Sequence, residues 1–308
     1  MKLELQNITK SFGEKEVLKN ISLSAESGCA LGLLGRNGAG KTTTIRIAMG
    51  VFPADSGSVS LDGRRVSDSG AAFGYLPEER GLYPKKSILS QLSYLGQLRG
   101  MRSADARQAA IRWVERVGLS EYLNKPLSTL SKGNQQKIQL ASTLLHNPDI
   151  VILDEPFSGL DPVNAQLLKE IVSDLVKNQK IVIFSSHQMG YVEEFCENIA
   201  ILNQGNIVLS GNLREIKHSY PRNRIYLETD GSSANPETIR QVLDQAGVLG
   251  LVVQILPFRS GYALTLSDAQ QSRLILKALA DSVLPIEKFE VIEPTLEQIF
   301  VEKAGETI

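Results

Sequence analysis

Several features that would indicate a secreted or membrane-spanning protein are missing from the sequence. Only two cysteines occur, Cys29 and Cys196, far apart and next to apolar residues, so neither a disulfide framework nor a metal cluster is expected. No apolar run approaches the roughly 18 residues that a membrane helix needs. The N-terminal stretch MKLELQNITK alternates like a strand and lacks the apolar core of a signal peptide. We therefore expect a soluble intracellular chain without a membrane span.

Neither sign of charge is in excess. The 33 basic and 34 acidic residues leave a formal net charge of -1. Binding to duplex DNA or to an anionic membrane surface depends on a surplus of basic residues that can neutralise phosphates. The balance of charge therefore predicts no nucleic-acid partner.

Three apolar runs, at 29–34, 149–154 and 180–186, are continuous rather than alternating. Continuous runs are typical of strands that are buried on both faces of a parallel sheet. A helical pattern follows each run, which is the repeating order of an α/β domain. With 308 residues, 42% of them apolar, the chain is long enough for one large core and a second small one.

The remaining patterns predict two domains. Residues 84–147 carry apolar residues at three- and four-residue spacing with few strand signals, which predicts a helical subdomain. A proline and basic residues mark the end of the first domain, 1–220. Residues 221–308 show the order β-α-β-β-α-β and a last helix, which is compatible with a small α+β domain of the ferredoxin-like type.

A glycine-rich stretch, GRNGAGKTT, follows the first apolar run and precedes a helical pattern. It fits G-x-x-x-x-G-K-[ST], in which backbone N–H groups and a helix N-terminus bind phosphate oxygens. Lys41 is placed to bridge the β- and γ-phosphates of ATP, and the Thr42 hydroxyl to bind Mg²⁺. The predicted phosphate-binding residues are Gly35, Arg36, Asn37, Gly38, Ala39, Gly40, Lys41, Thr42 and Thr43.

Two acids, Asp154 and Glu155, end the second apolar run. Adjacent carboxylates at the end of a buried strand are costly to bury without a cation. We assign Asp154 to Mg²⁺, and we expect Glu155 to accept the proton of the attacking water. A solvated strand end is the alternative interpretation.

The order of these motifs and of three others resembles that of the nucleotide-binding subunit of an ABC transporter. The others are LSKGNQQKIQL from Leu130, FSGLDP from Phe157 and SSHQM from Ser185. The resemblance covers residues 1 to about 215 and implies a P-loop ATPase core of the ABC type. It also implies that two subunits, as a homodimer or a heterodimer, enclose two ATP molecules between them.

The resemblance implies functions for single residues as well. Ser131 and Gly133 match the signature motif, usually LSGGQ, that contacts the γ-phosphate of the ATP held by the other subunit. Asp161 matches the loop that couples the two sites, and His187 matches the switch histidine that contacts the γ-phosphate. Phe12 matches the aromatic residue that stacks on adenine, with burial in an edge strand as the alternative.

Glu78, in GYLPEERG, stands where the family normally has a glutamine that touches Mg²⁺ and the attacking water. A carboxylate is a stronger Mg²⁺ ligand than an amide, so we hypothesise that Glu78 makes closure of the dimer more dependent on Mg²⁺. Glu79 or Arg80 would then face a partner protein. The alternative is a solvated ion pair of Glu78 with Arg80.

The combination of YLPEERGLYPK, LSKGNQQK and a C-terminal segment ending IEPTLEQIFVEKAG resembles the ATPases of ABC-2 type exporters, including the sodium-export group. This resemblance implies a motor that drives export through a separate multi-span permease, from the cytoplasmic face of the cell membrane. The competing hypothesis is a regulatory module without a transport function, in which the C-terminal domain binds a ligand or a protein. The exported substrate stays open.

Overall fold

The computed structural model of the chain describes residues 1–79, 81–158, 160–230 and 235–304. They form two compact units, one comprising Met1–Leu213 and residues 300–304, the other comprising Arg214–Ile299.

The elements of the first unit are bounded as follows. Its strands are β1 (Lys2–Phe12), β2 (Lys15–Glu26), β3 (Ala30–Leu34), β4 (Ser56–Leu61), β5 (Arg64–Arg65), β6 (Phe73–Leu76), β7 (Ile150–Asp154), β8 (Ile181–Ser186), β9 (Asn198–Asn203) and β10 (Asn206–Asn212). Its helices are α1 (Lys41–Ala48), α2 (Ile88–Leu98), α3 (Ser103–Arg116), α4 (Lys132–Leu144), α5 (Pro162–Lys177) and α6 (Met189–Phe195).

A six-stranded sheet with the order β10-β9-β3-β8-β7-β6 forms the centre of this unit. Strands β9, β3, β8, β7 and β6 are parallel, and β10 returns antiparallel to β9. Every residue of β3, β7 and β8 is buried, which confirms the prediction made from the continuous apolar runs. Parallel strands present their carboxyl ends at one edge, so the phosphate loop after β3 and the acids after β7 meet there.

An antiparallel sheet, β2-β1-β4-β5, shares a hydrophobic core with the central sheet. Strands β9 and β10 are joined by a tight turn in which Gln204 has φ 47° and Gly205 has φ 82°. Two successive residues at positive φ are typical of the type I′ turn that joins hairpin strands. Strands β9 and β10 therefore form a hairpin at one edge of the central sheet.

Helices α2, α3 and α4 lie within the segment 84–147 and share a hydrophobic core of their own. Helix α4 begins at Ser131, whose Oγ accepts a hydrogen bond from the backbone N–H of Asn134. A serine in this position satisfies one of the free N–H groups at a helix start. Within the described residues, no helix is both long and apolar enough to cross a membrane.

The second unit is built from one antiparallel sheet and its helices. Its elements, of which α7 and α10 cross the two ends of its range, are α7 (Leu213–Ser219), β11 (Arg224–Thr229), α8 (Pro236–Gln245), β12 (Val252–Phe258), β13 (Gly261–Leu266), α9 (Ser272–Ala280), β14 (Ile286–Ile292) and α10 (Leu296–Ala304). The sheet is antiparallel, with the order β12-β13-β11-β14. Leu243 of α8 and Leu279 of α9 pack with Leu264 of β13 in one core, so both helices cover the same face.

We predict that the two units unfold independently, because each has a core of its own. Leu264 is fully buried, so Leu264→Ala is expected to destabilise the second unit by about 2–5 kcal/mol. Calorimetry of the full chain should show two transitions, of which Leu264→Ala lowers one while saturating ADP raises the other. A single transition that responds to both changes would contradict this division.

Candidate functional site

Lys41 lies at the centre of the glycine-rich loop between β3 and α1. Its side chain is only 7% exposed, and its Nζ donates to the carbonyl oxygens of Gly35 at 2.6 Å and Arg36 at 3.4 Å. The backbone N–H of Ala39 donates to the same Arg36 carbonyl at 3.1 Å. The loop therefore wraps around an ammonium group at the N-terminus of α1, where anions are favoured.

Two glycines of this loop have no room for a side chain. A Cβ on Gly35 would lie 2.5 Å from the carbonyl oxygen of Leu202, and one on Gly40 would lie 2.6 Å from Leu18 Cδ2. Gly40 also has φ 113°, which residues with a side chain rarely adopt. The motif glycines are thus required by the packing of the loop against β9 and β2.

Asp154 is 4% exposed and accepts hydrogen bonds from hydroxyl groups of three elements. The Thr42 Oγ1 of α1 donates at 3.5 Å and the Tyr75 OH of β6 at 3.2 Å, both to Oδ2. The Ser185 hydroxyl of β8 donates to Oδ1. Burial, followed by the negative charge of Asp154, raises the pKa of Tyr75 to about 12, so Tyr75 stays a hydroxyl donor at neutral pH.

Glu155 is 5% exposed and is held in an unusual backbone conformation. Its φ is 48°, in the left-handed region that side chains disfavour and that often marks functional sites. Its backbone N–H donates to the Ser185 carbonyl at 2.9 Å, and the Ser186 hydroxyl donates to Oε2 at 3.2 Å. The conformation is thus held by β8.

The second carboxylate oxygen of Glu155, Oε1, faces two basic side chains. His187 Nδ1 lies 2.8 Å away and Lys41 Nζ 3.8 Å away. Neither contact has hydrogen-bonding geometry, so the buried Oε1 accepts no hydrogen bond from the described residues. A buried carboxylate oxygen without a donor is suited to accept one from a small molecule such as water.

A cleft of about 370 Å³ brings most of the predicted residues together. Its lining comprises Lys15, Val17, Arg36, Asn37, Gly38, Gly40, Lys41, Thr42, Thr43, Glu78, Asp154 and Glu155. Glu78 and Glu155 also line a neighbouring cleft of about 380 Å³, together with Glu79 and α4. Arg80, the hypothesised ion-pair partner of Glu78, lies outside the described residues.

Ser131, Gly133 and Asp161 form a second group, which is not part of the described lining of the first cleft. Ser131 is exposed at the start of α4. Asp161 caps α5 and accepts from the backbone N–H and the side-chain amide of Asn164, at 2.8 and 2.7 Å. A Cβ on Gly133 would lie 2.9 Å from that amide nitrogen, so the starts of α4 and α5 lie side by side.

Phe12 lies at the end of β1, opposite Lys15, which lines the cleft around Lys41. Its ring is 51% exposed and meets Phe52 edge to face, with ring centroids 5.7 Å apart. The ammonium group of Lys10 lies 5.6 Å from the Phe12 centroid. The ring is therefore supported on one side and available for stacking, rather than buried in the core.

Two partners of Asp154, Tyr75 and Ser185, are not among the residues that the sequence predicts for the site. Ser185 lies directly beside Asp154 in the parallel register of β7 and β8. The signal for Ser185 was present, since two neighbouring strands that end at a common edge bring their last residues together. For Tyr75 the sequence offers no such signal, because a tyrosine in a strand is usually part of the core.

Comparisons with known proteins identify the family of this chain. Residues 18–158 match the family model described as ABC transporter. The chain is 42% identical, over 98% of both chains, to the ABC transporter ATP-binding protein YhaQ of Bacillus subtilis. The chain belongs to the ABC transporter ATP-binding proteins. Residues 211–304 match a second model, the C-terminal domain of DrrA1-3-like ATP-binding proteins, as the ABC-2 type resemblance leads one to expect.

Two further proteins are similar to this ABC subunit. The linearmycin resistance ATP-binding protein LnrL of Bacillus subtilis is 30% identical over 99% of both chains. A solved ATP-binding subunit of an ABC transporter superposes with a TM-score of 0.65 at 27% identity, covering 71% of this chain and 92% of the other. The fold class and the ATPase activity expected from the sequence are thereby confirmed.

We expect Lys41→Ala to weaken nucleotide binding by about ten- to a hundredfold, because a charged hydrogen bond contributes about 1.5–3 kcal/mol. Titration of the purified chain with a fluorescent ATP analogue measures the effect. Lys180→Ala is the matched control, since Lys180 is also mostly buried but pairs with Asp149 outside the cleft. An unchanged affinity in Lys41→Ala would contradict the assignment of the phosphate loop.

Proposed function

We propose that two copies of this ATPase, or one copy and a related subunit, close around two ATP molecules and drive export through a separate ABC-2 type permease. The observation that carries the proposal is the division of the predicted nucleotide residues into two groups. Ser131 at the start of α4 is exposed, yet the described lining of the cleft around Lys41 does not include it. A partner subunit that presents its own Ser131 and Gly133 to this cleft would complete the site.

Mg²⁺ fits the oxygen donors that line the cleft. Asp154 and Glu155 are both nearly fully buried, and a nearby cation would offset the cost of burying two carboxylates. Thr42, Asp154 and Glu78 offer the hydroxyl and carboxylate oxygens that this ion prefers, and they would hold it. When bound, Mg²⁺ would neutralise negative charge on the phosphate oxygens.

The remaining side chains have distinct tasks in hydrolysis. Glu155 would take the proton of the attacking water at Oε1, the buried oxygen without a donor. His187, whose Nδ1 lies 2.8 Å from that oxygen, would orient the water and contact the γ-phosphate. Lys41 and the loop N–H groups would stabilise the transferring phosphoryl group, and Phe12 would stack on the adenine ring.

Export is supported by similarity rather than by a side chain of this protein. LnrL, a relative matched over nearly the whole chain, is named for resistance to linearmycin. Resistance by an ABC subunit is consistent with removal of a toxic compound through a partner that spans the membrane. We propose that the chain acts at the cytoplasmic face of the cell membrane, bound to that permease.

Isolation of the tagged chain from detergent-solubilised membranes tests the partnership, with an unrelated tagged protein as the control. We expect a protein with several predicted membrane spans to be recovered with it. Recovery of soluble partners alone would contradict the export function and favour the regulatory module.

Glu155→Gln is expected to retain ATP binding while hydrolysis falls by about 10²- to 10⁴-fold, because the proton acceptor is lost. With hydrolysis blocked, the ATP-bound variant should elute as a dimer in size-exclusion chromatography. Glu170→Gln, an exposed change on α5, is the control and should hydrolyse ATP normally. Hydrolysis at the wild-type rate would contradict the assignment of Glu155 as proton acceptor. Elution of the ATP-bound variant as a monomer would contradict the proposed dimer.

A further inference from the structure

Helix α4 carries a stripe of polar side chains at intervals of three and four residues. The stripe consists of Gln136, Gln139, Thr143 and, just after the helix, His146. Such spacing places the first three on one face of the helix, and His146 continues the same series beyond its end. Each of them contacts a backbone carbonyl of the central sheet or of the loops that follow it.

Three members of the stripe contact carbonyl oxygens along β6 and the residues directly after it. His146 Nε2 lies 3.0 Å from the Phe73 carbonyl oxygen, and Thr143 Oγ1 donates to the Tyr75 carbonyl at 3.2 Å. Gln139 Nε2 donates to the carbonyl of Glu79 at 2.9 Å and to that of Pro77 at 3.4 Å.

These carbonyls belong to alternate residues, so they line one edge of the chain. Among the described strands, β6 is the last of its sheet on this side. An edge strand leaves backbone groups without ladder partners, and side chains of α4 supply donors in place of another strand.

Gly74 allows α4 to approach β6 closely. A Cβ at this position would lie 2.7 Å from the Thr143 carbonyl oxygen and 2.8 Å from Pro148 Cγ. The separation of helix and strand is therefore determined by backbone contact rather than by flexible side chains, which keeps the stripe in register with the carbonyls.

Gln139 occupies a special place in this arrangement. Its side chain is 6% exposed, and the two carbonyls it binds, those of Pro77 and Glu79, flank Glu78. Gln136, one turn earlier, donates at 2.7 Å to the carbonyl of Pro156, directly after Glu155. One face of α4 thus hydrogen-bonds the loop of Glu78 and the loop of Glu155, the two acids that line both clefts.

We propose that Gln139 is a positioning residue, which holds the peptide groups on both sides of Glu78 so that its carboxylate faces the nucleotide cleft. The proposal rests on the metal-binding role of Glu78 in the proposed function. Gln139 would act through Glu78 and would not contact the substrate itself.

The test is Gln139→Met, which keeps side-chain length and helix propensity and removes the donor. Loss of the hydrogen bonds should raise the Mg²⁺ concentration for half-maximal ATP hydrolysis by about three- to tenfold, with kcat at saturating Mg²⁺ changed less than about twofold. Gln97→Met is the control, because the Gln97 side chain donates to the Ser93 carbonyl within its own helix, α2. An unchanged Mg²⁺ requirement, or a fall in kcat without a change in that requirement, overturns the proposal.

A double-mutant cycle with Glu78→Gln shows whether Gln139 acts through Glu78. Once Glu78→Gln has altered the Mg²⁺ requirement, adding Gln139→Met should change it no further, whereas additive effects would contradict the proposal. If Glu78→Gln alone leaves the requirement unaltered, the metal role of Glu78 is wrong and the proposal fails with it. The assay uses the purified ATPase, so the outcome does not depend on whether a permease is the partner.

Discussion

The site depends on two adjacent carboxylates that are buried at the end of one strand. Asp154 and Glu155 are 4% and 5% exposed, and the ammonium group of Lys41 lies 3.8 Å from Glu155. Burial of each charge costs several kcal/mol unless hydrogen bonds and opposite charges compensate. The phosphate loop, β6 and β8 supply that compensation, so the relative positions of these elements are coupled to the two acids.

The two carboxylates differ in what surrounds them. Asp154 accepts hydroxyl groups from Thr42, Tyr75 and Ser185. Glu155 stands in a left-handed backbone conformation with one carboxylate oxygen that no described residue hydrogen-bonds. A carboxylate held by hydrogen bonds is suited to bind a metal ion in a fixed position. A carboxylate with an oxygen that accepts no hydrogen bond is suited to take up a proton. The separate roles proposed for these two acids thus follow from their different partners, since both side chains are carboxylates.

Side chains also join the helical segment to β6, the outermost described strand on this side of the central sheet. Hydrophobic contact alone would leave the carbonyls of an edge strand unpaired, and unpaired buried carbonyls are destabilising. The polar stripe of α4 removes that penalty while Gly74 determines the distance between helix and strand. The loop of Glu78 is consequently hydrogen-bonded to α4, the helix that Ser131 caps.

Local patterns were sufficient to predict the fold class. Strands buried on both faces must be continuously apolar, and the phosphate loop needs its glycines within a few residues, so both are visible in a linear sequence. The assignment of Phe12, Ser131, Gly133, Asp161 and His187 came from the order of motifs and stays a prediction. The hydrogen bonds of Tyr75 to Asp154, and of Gln139 around Glu78, were decided by tertiary structure alone. They join residues 60 to 79 positions apart, and strand register and helix placement, which create them, have no local sequence signal.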